Sequence, residues 1–212
     1  MATLLRVDSS ARQDGSHSRD VADRIMNIWK SQNPGGHTVE RKIGDGSVPH
    51  ISNDTIQAFF TDPAEQTGAQ KQAIVTSDHL VEELQAADTL LVSVPFYNFS
   101  VPSSLKAWID QVVRVNRTFA IGEDGFSGLA RARRAIVVIA YGAPGYQAGG
   151  SLASANFAEP YLKFLLEFIG IPDVTILSLD GTNEAEDVVE RRKRQLTETA
   201  RQVLSRPLSA AA

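Results

Sequence analysis

Three stretches of the chain hold residue types whose spacing could do chemistry. The first is Val94-Pro95-Phe96-Tyr97-Asn98-Phe99-Ser100-Val101-Pro102, three aromatics and one amide between two prolines. Connections between elements normally run over the surface and are polar. Aromatics with a single Asn instead suggest a flat apolar ligand with a hydrogen-bonding rim, or else core packing beneath a loop. The second is Asp8-Ser9-Ser10-Ala11-Arg12-Gln13-Asp14-Gly15-Ser16-His17-Ser18, rich in hydroxyls. Ahead of a helix, such a loop can receive a phosphate on hydroxyls and free N–H groups, or Ser16 or Ser18 can simply cap the helix. It has neither a Walker lysine nor a G-x-G-x-x-G pattern, which argues against nucleoside triphosphate and dinucleotide sites. The third is Tyr141-Gly142-Ala143-Pro144-Gly145-Tyr146 with Gly149-Gly150, where glycines permit close backbone approach to a ligand or form an ordinary flexible turn.

The elements that must position these stretches follow from hydrophobic pattern. Thr3 to Val7 suggests a short buried first strand, Thr89 to Val94 is the strongest strand signal, and Ala135 to Ala140 is a fully apolar run of strand length, the mark of a central strand. Thr38 to Ile43 alternates as a further strand, and Val174 to Leu179 is the last. Between them the spacing predicts helices: one with Val21, Ile25, Ile28 and Trp29 on one side, a short one over 51–60, and a longer one over 64–87. Three more follow, one carrying Leu105, Trp108, Ile109, Val112 and Val113, one over 156–169 and one over 183–204. Pro95 is expected to end its strand and Pro102 to open the next helix. The segment 118–129 suggests an excursion or hairpin, and 207–212 a loose tail. Strands alternating with helices imply a doubly wound, right-handed, mostly parallel five-stranded α/β sheet with helices on both faces. In the strand order 2-1-3-4-5, the loops after the first, third and fourth strands converge at the topological switch point, where ligands bind.

Composition narrows the function. The chain has 212 residues, 42% hydrophobic and 22% charged, which fits one globular domain over 1–212. A net charge of −4 argues against a nucleic-acid surface. There is no cysteine, which removes disulfides, thiolate nucleophiles and cysteine metal sites. His17, His37, His50 and His79 show no metal spacing, and no metal is expected. Charge interrupts the first residues too early for a signal peptide, and no apolar run approaches the roughly 20 residues of a membrane helix, so a cytoplasmic location is expected. The basic run Arg191 to Arg194 pairs at i,i+4 with Asp187 and Glu190, as a solvated helix face does. With no nucleophile–base pair in place, the aromatic site is what a chain shows when a bound cofactor supplies the chemistry.

Ser9-Ser10 with Ser16-His17-Ser18, Pro95-Phe96-Tyr97-Asn98-Phe99, and Pro160-Tyr161-Leu162 running to Phe168-Ile169-Gly170 resemble the flavodoxin-like FMN-dependent NAD(P)H:quinone reductase and azoreductase family. The resemblance implies FMN as cofactor, NAD(P)H as electron donor and a quinone or azo compound as acceptor. It implies that Ser10, Ser16, His17 and Ser18 bind the FMN phosphate. Pro95, Phe96, Tyr97, Asn98 and Phe99 would bind the ring, joined by Tyr141, Gly142 and Ala143. It also implies a homodimer in which Phe119, Ile121 and Phe168 serve the substrate side, Phe119 and Phe168 in the neighbour's pocket. The chain departs from the family pattern at His17, where members often carry a neutral residue, and at Ala143, where a second glycine is frequent. It departs again at Ile121, where some relatives place an aromatic.

The helix over 156–169 bears on the dimer independently. Phe157, Tyr161, Phe164, Leu165 and Phe168 run along one side, Leu162, Leu166 and Ile169 continue around it, and only Glu159, Lys163 and Glu167 form a polar stripe. Such a helix covers apolar surface on more than one side, through a partner or through deep burial in one chain. Two other functions share the fold and cofactor: an electron-carrier flavodoxin, and an FMN reductase that releases its flavin. A receiver domain of the same fold is excluded, because Pro95-Phe96 stands where it needs an aspartate.

Overall fold

The computed structural model describes residues 1–208. Its main sheet holds β1 (Thr3–Asp8), β2 (His37–Lys42), β3 (Thr89–Pro95), β6 (Arg134–Ala140) and β7 (Asp173–Leu179), all parallel, in the order β2-β1-β3-β6-β7. This is the expected order. The remaining strands, β4 (Phe119–Gly122) and β5 (Gly125–Gly128), form an antiparallel hairpin within the expected excursion. The helices are α1 (His17–Gln32), α2 (Asn53–Phe60), α3 (Gly68–Ala73), α4 (Val75–Ala86), α5 (Ser103–Val112), α6 (Ala158–Phe168) and α7 (Glu186–Leu204).

Alternating residues of the central strands feed two cores. Leu90, Val92 and Val94 point with Val137 and Ile139 toward α4, α5 and α6, against Leu84, Trp108 and Leu162. Leu91 points with Ile136 and Val138 toward α1 and α7, against Ile25, Trp29 and Val203. Helices on both faces explain why these strands are apolar on both sides, with Ser93 the one polar residue between Leu90 and Val94.

Three expectations need correction. The helix expected over 64–87 is two helices, because a Thr67/Gln70 capping box starts α3 late and the chain breaks at Ile74. Pro95 does not stop β3 at Val94; it is paired in the ladder as the strand's last residue, opposite Ala140. Alternate residues of a parallel strand face alternate neighbours. The Ser93 carbonyl accepts from Ser9 N at 3.1 Å on the β1 side, and Phe96 N donates to Ala140 O at 2.9 Å on the β6 side. Pro95 therefore faces β1 just where β1 has finished, and its missing N–H has no ladder to leave. The tail also begins anchored, since the buried Arg134 donates to the carbonyls of Arg206 (3.1 Å) and Pro207 (3.2 Å); 209–212 lie outside the described residues. Among the described residues, no helix is long and apolar enough to cross a membrane.

A charged pair is buried at the carboxyl end of β1. Arg6 is 1% exposed and lies 3.0 Å from Asp8, which is equally buried. Arg6 also donates to Asp23 of α1 at 2.6 Å, and Asp8 accepts from the Ser93 hydroxyl at 2.7 Å. Burial opposes the guanidinium charge, but Asp8 and Asp23 outweigh it and raise the Arg6 pKa. Removing one partner of such a pair strands the other charge in the core. Asp8→Ala is expected to cost about 3 kcal/mol, the low end for a buried pair because Asp23 remains. Urea unfolding checks this, and a loss below about 1 kcal/mol would match an exposed pair instead.

Candidate active site

The ends of β1, β3 and β6 open into one cleft lined by Ser10, Arg12, Ser16, His17, Ser18, Pro95, Phe96, Tyr97, Ala140, Gly142, Thr182 and Asn183. The serine loop and the aromatic turn therefore meet, as their place in the strand order requires.

The serine end is built on the start of α1. Ser16 caps the helix, its hydroxyl accepting from Arg19 N at 3.4 Å and lying 3.4 Å from the Ser18 hydroxyl. The first N–H groups of a helix have no carbonyl within it, and the helix dipole adds positive potential there. Capping and anion binding are thus compatible readings of one loop. Ser10 and Ser18 are nearly buried yet wall the cleft, and Arg12 stands exposed at its mouth. His17 is held below its ordinary pKa, first by burial and then by the charges of Lys193 and Arg12. At neutral pH it is an uncharged imidazole, a hydrogen-bonding group rather than a cation.

The aromatic end is a two-residue turn in a costly conformation. Tyr97 N donates to Ser100 O at 3.2 Å and Ser100 N to Tyr97 O at 3.0 Å. Asn98 and Phe99 between them have φ of 47° and 71°. Two successive left-handed residues favour Asn-Gly, and a phenylalanine in the second place is strained. Strain of this kind collects where a structure uses it. Among the described residues, the N–H groups of Asn98 and Phe99 donate to no other group of the chain. Phe157 N binds the Phe99 carbonyl at 3.1 Å and ties the turn to the residue preceding α6.

Behind the turn, Phe96 packs on Tyr141 at 4.6 Å and on Tyr146 at 4.8 Å. Tyr141 is fully buried, its hydroxyl accepting from Asn156 at 3.1 Å and its pKa pushed up by burial to about 12. Its ring buttresses Phe96, and only main chain is left to face a ligand there. Gly142 reaches the cleft, whereas Ala143, Asn98 and Phe99, expected there, are exposed and do not line it. Phe119, Ile121 and Phe168 do not line this cleft. Phe119 and Phe168 form a separate cluster with Phe126 and Phe164, at centroid distances of 5.1, 5.5 and 6.1 Å from Phe168.

The sequence reading passed over Arg12, Ala140, Thr182 and Asn183. Thr182 and Asn183 follow β7, and their N–H groups bind the carbonyls of Tyr141 and Gly142 at 2.9 and 3.1 Å. Their signal lies in Asp180-Gly181-Thr182-Asn183, a turn signature after the edge strand β7, next to β6. Gly44 was also missed: a Cβ there would lie 1.9 Å from the Ser10 carbonyl oxygen, so only glycine lets that loop back the serines.

A family model described as the flavodoxin-like fold matches residues 2–204. The chain belongs to the flavodoxin-like family. A relative from Xanthobacter autotrophicus named FMN-dependent NADH:quinone oxidoreductase is 47% identical over 176 residues, covering 83% of this chain and 85% of that protein. One of the same name from Hydrogenovibrio crunogenus is 39% identical, covering 96% and 100%. Among solved structures of this flavodoxin-like fold, an FMN-dependent NADH-azoreductase from Bacillus anthracis in complex with FMN superposes with a TM-score of 0.85. It is 23% identical, covering 97% of this chain and 100% of that one.

The state of His17 has a measurable consequence. The unfolded chain takes up a proton on it near pH 6.5, whereas the folded chain does so only at lower pH. Stability is therefore lost as pH falls through 6.5 and onward to the folded value. Without ligand, NMR titration is expected to place His17 below 6.5, and His17→Gln to flatten the fall in urea midpoint between pH 7 and pH 5.5. A folded value at or above 6.5 would contradict this.

Proposed function

We propose that the protein is an FMN-dependent NAD(P)H oxidoreductase that reduces quinones and azo compounds, formed by residues 1–212 as one flavodoxin-like domain. The observation that carries the reading is the meeting, in one cleft, of a hydroxyl-lined helix start with a strained aromatic turn. The residues suit FMN. Ser10, Ser16 and Ser18 with the start of α1 offer a phosphate hydroxyls, N–H donors and positive potential. Pro95, Phe96 and Tyr97 offer the ring a flat apolar wall, and the turn N–H groups of Asn98 and Phe99 would be the donors nearest that wall for its polar edge. Gly142 and Ala143 take its other polar side through the main chain, with Tyr141 fixed behind. The family match over 2–204 and relatives named for FMN and NADH support this assignment.

Bound here, FMN would supply the redox chemistry, hydride transfer from NAD(P)H through its N5 to the acceptor. The chain binds and orients. His17 would donate a hydrogen bond at the phosphate, and the turn donors would stabilise negative charge at the ring edge. Donor and acceptor occupy one place in turn, and an azo bond needs two rounds to reach two amines. Double-reciprocal plots of NADH against a quinone are expected to be parallel. Intersecting lines would overturn the shared place, and a protein that stays colourless after incubation with FMN would overturn the function.

The same reading makes the active form a homodimer. Phe164 on α6 is 67% exposed, Phe157 60%, Phe126 66% and Ile121 62%, so the second apolar side of this helix is not buried within the chain. Phe119, Phe126, Phe164 and Phe168 are linked by ring contacts, a cluster rather than scattered exposed side chains. A partner there would bring Phe119, Ile121 and Phe168 to the substrate side of the neighbouring cleft. Light scattering is expected to show a dimer at micromolar concentration. Phe168→Ala is expected to change acceptor kinetics more than FMN affinity, and a fully active monomer would refute this arrangement.

A further inference from the structure

The serine loop owes its shape to something other than burial. Ala11, Arg12, Gln13, Asp14 and Gly15 are all exposed, so no side chain of the stretch packs into a core. One side chain from the helix that follows holds it instead. Arg19 Nη1 donates to the Gln13 carbonyl at 2.7 Å, and Nη2 donates to those of Arg12 at 2.7 Å and Ser10 at 3.2 Å. In a trans peptide the carbonyl of one residue and the N–H of the next point opposite ways. Fixing these three carbonyls therefore turns the N–H groups of Ala11, Gln13 and Asp14 away from the guanidinium.

Arg19 is itself seated. Its N–H meets the Ser16 cap at 3.4 Å, and its carbonyl accepts from the buried Arg6 at 3.5 Å. Its Nε is buried with no partner among the described residues. Gly44 backs the Ser10 carbonyl from another direction, at a distance no side chain would allow. Arg19 does not line the cleft with the serines. Its position is that of a support, not of a phosphate ligand.

We propose that Arg19 is the positioning residue of the phosphate site. Its planar fork, rather than its charge, presets the serine loop before any ligand arrives, and so confers preference for a phosphorylated flavin over the same flavin without phosphate. This rests on the FMN reading above. A lysine would keep the charge, but its ammonium cannot span three carbonyls in the plane of a fork.

The test is flavin titration of the full chain freed of flavin, with FMN and with riboflavin. Arg19→Lys and Arg19→Gln are each expected to weaken FMN about tenfold, in line with losing hydrogen bonds to a charged group, while riboflavin affinity stays unchanged. If Arg19→Lys binds FMN as the wild type does, charge alone suffices and the proposal falls. It falls equally if both flavins weaken together, the mark of general loss of structure. Ser18→Ala separates the two readings. If it leaves the FMN-to-riboflavin ratio untouched, this loop is not the phosphate site and both fail; if it lowers the ratio while Arg19→Lys does not, only the clamp fails. A measurement on the wild type needs no variant. Amide relaxation without flavin should give 11–15 order parameters near about 0.85, like β1 and α1, and values below about 0.6 would overturn presetting.

Discussion

The ion pair between Arg6 and Asp8 is the constraint on which the cleft depends. A guanidinium within a sheet face cannot be left without partners, because the desolvation penalty of an unpaired charge is several kcal/mol. The chain meets that demand with Asp8 on the same strand, Asp23 on α1 and a contact to the Arg19 carbonyl. Asp8 in turn takes the hydroxyl of Ser93 from β3. One charge thus sets where β1 stops, how α1 leans on it and how β3 is aligned beside it. Those three relations are what bring the serine loop over the sheet edge. The pair need not add net stability to do this; it specifies an arrangement.

Above that base, two kinds of residue divide the work. Ser10, Ser16, Ser18, Phe96 and Tyr97 face the cleft. Others never reach it and fix the main chain of those that do: Gly44 against Ser10, Tyr141 behind Phe96, and the Phe157 N–H on the Phe99 carbonyl. On the proposed reading, much of the recognition surface would be peptide N–H rather than side chain, at the start of α1 and at the 97–100 turn. Donors of that sort are useful only if the backbone is held, and this explains why the fold tolerates two left-handed non-glycine residues in succession.

Apolar runs and helical spacing carried the sheet order and both ends of the cleft, because burial on two faces leaves a nearly continuous apolar pattern in the letters. Aromatics in a connection were equally legible, since little else explains them. The break at Ile74 was not, because its residues are apolar or neutral on either side and only the capping box at Thr67 marks it. Pro95 misled for a physical reason: the rule against proline in a ladder concerns a direction, and sequence does not say which neighbour a residue faces. Gly44 acts through a contact between distant segments, which no local spacing encodes, and the turn signature at Thr182 and Asn183 does not say which carbonyls they bind.

The hairpin of β4 and β5 touches α6 at a point with no room for a side chain. A Cβ on Gly128 would lie 2.2 Å from Gly170 N, and Ala130 N binds the Ile169 carbonyl at 2.8 Å. At its other end, α6 is reached through Phe157 from the Phe99 carbonyl. The helix is 11 residues long, a rod of about 16 Å. It is thereby a lever with both ends pinned to main chain. The strained turn at the cleft and the aromatic hairpin share one mechanical part, so neither can be displaced far without the other registering it.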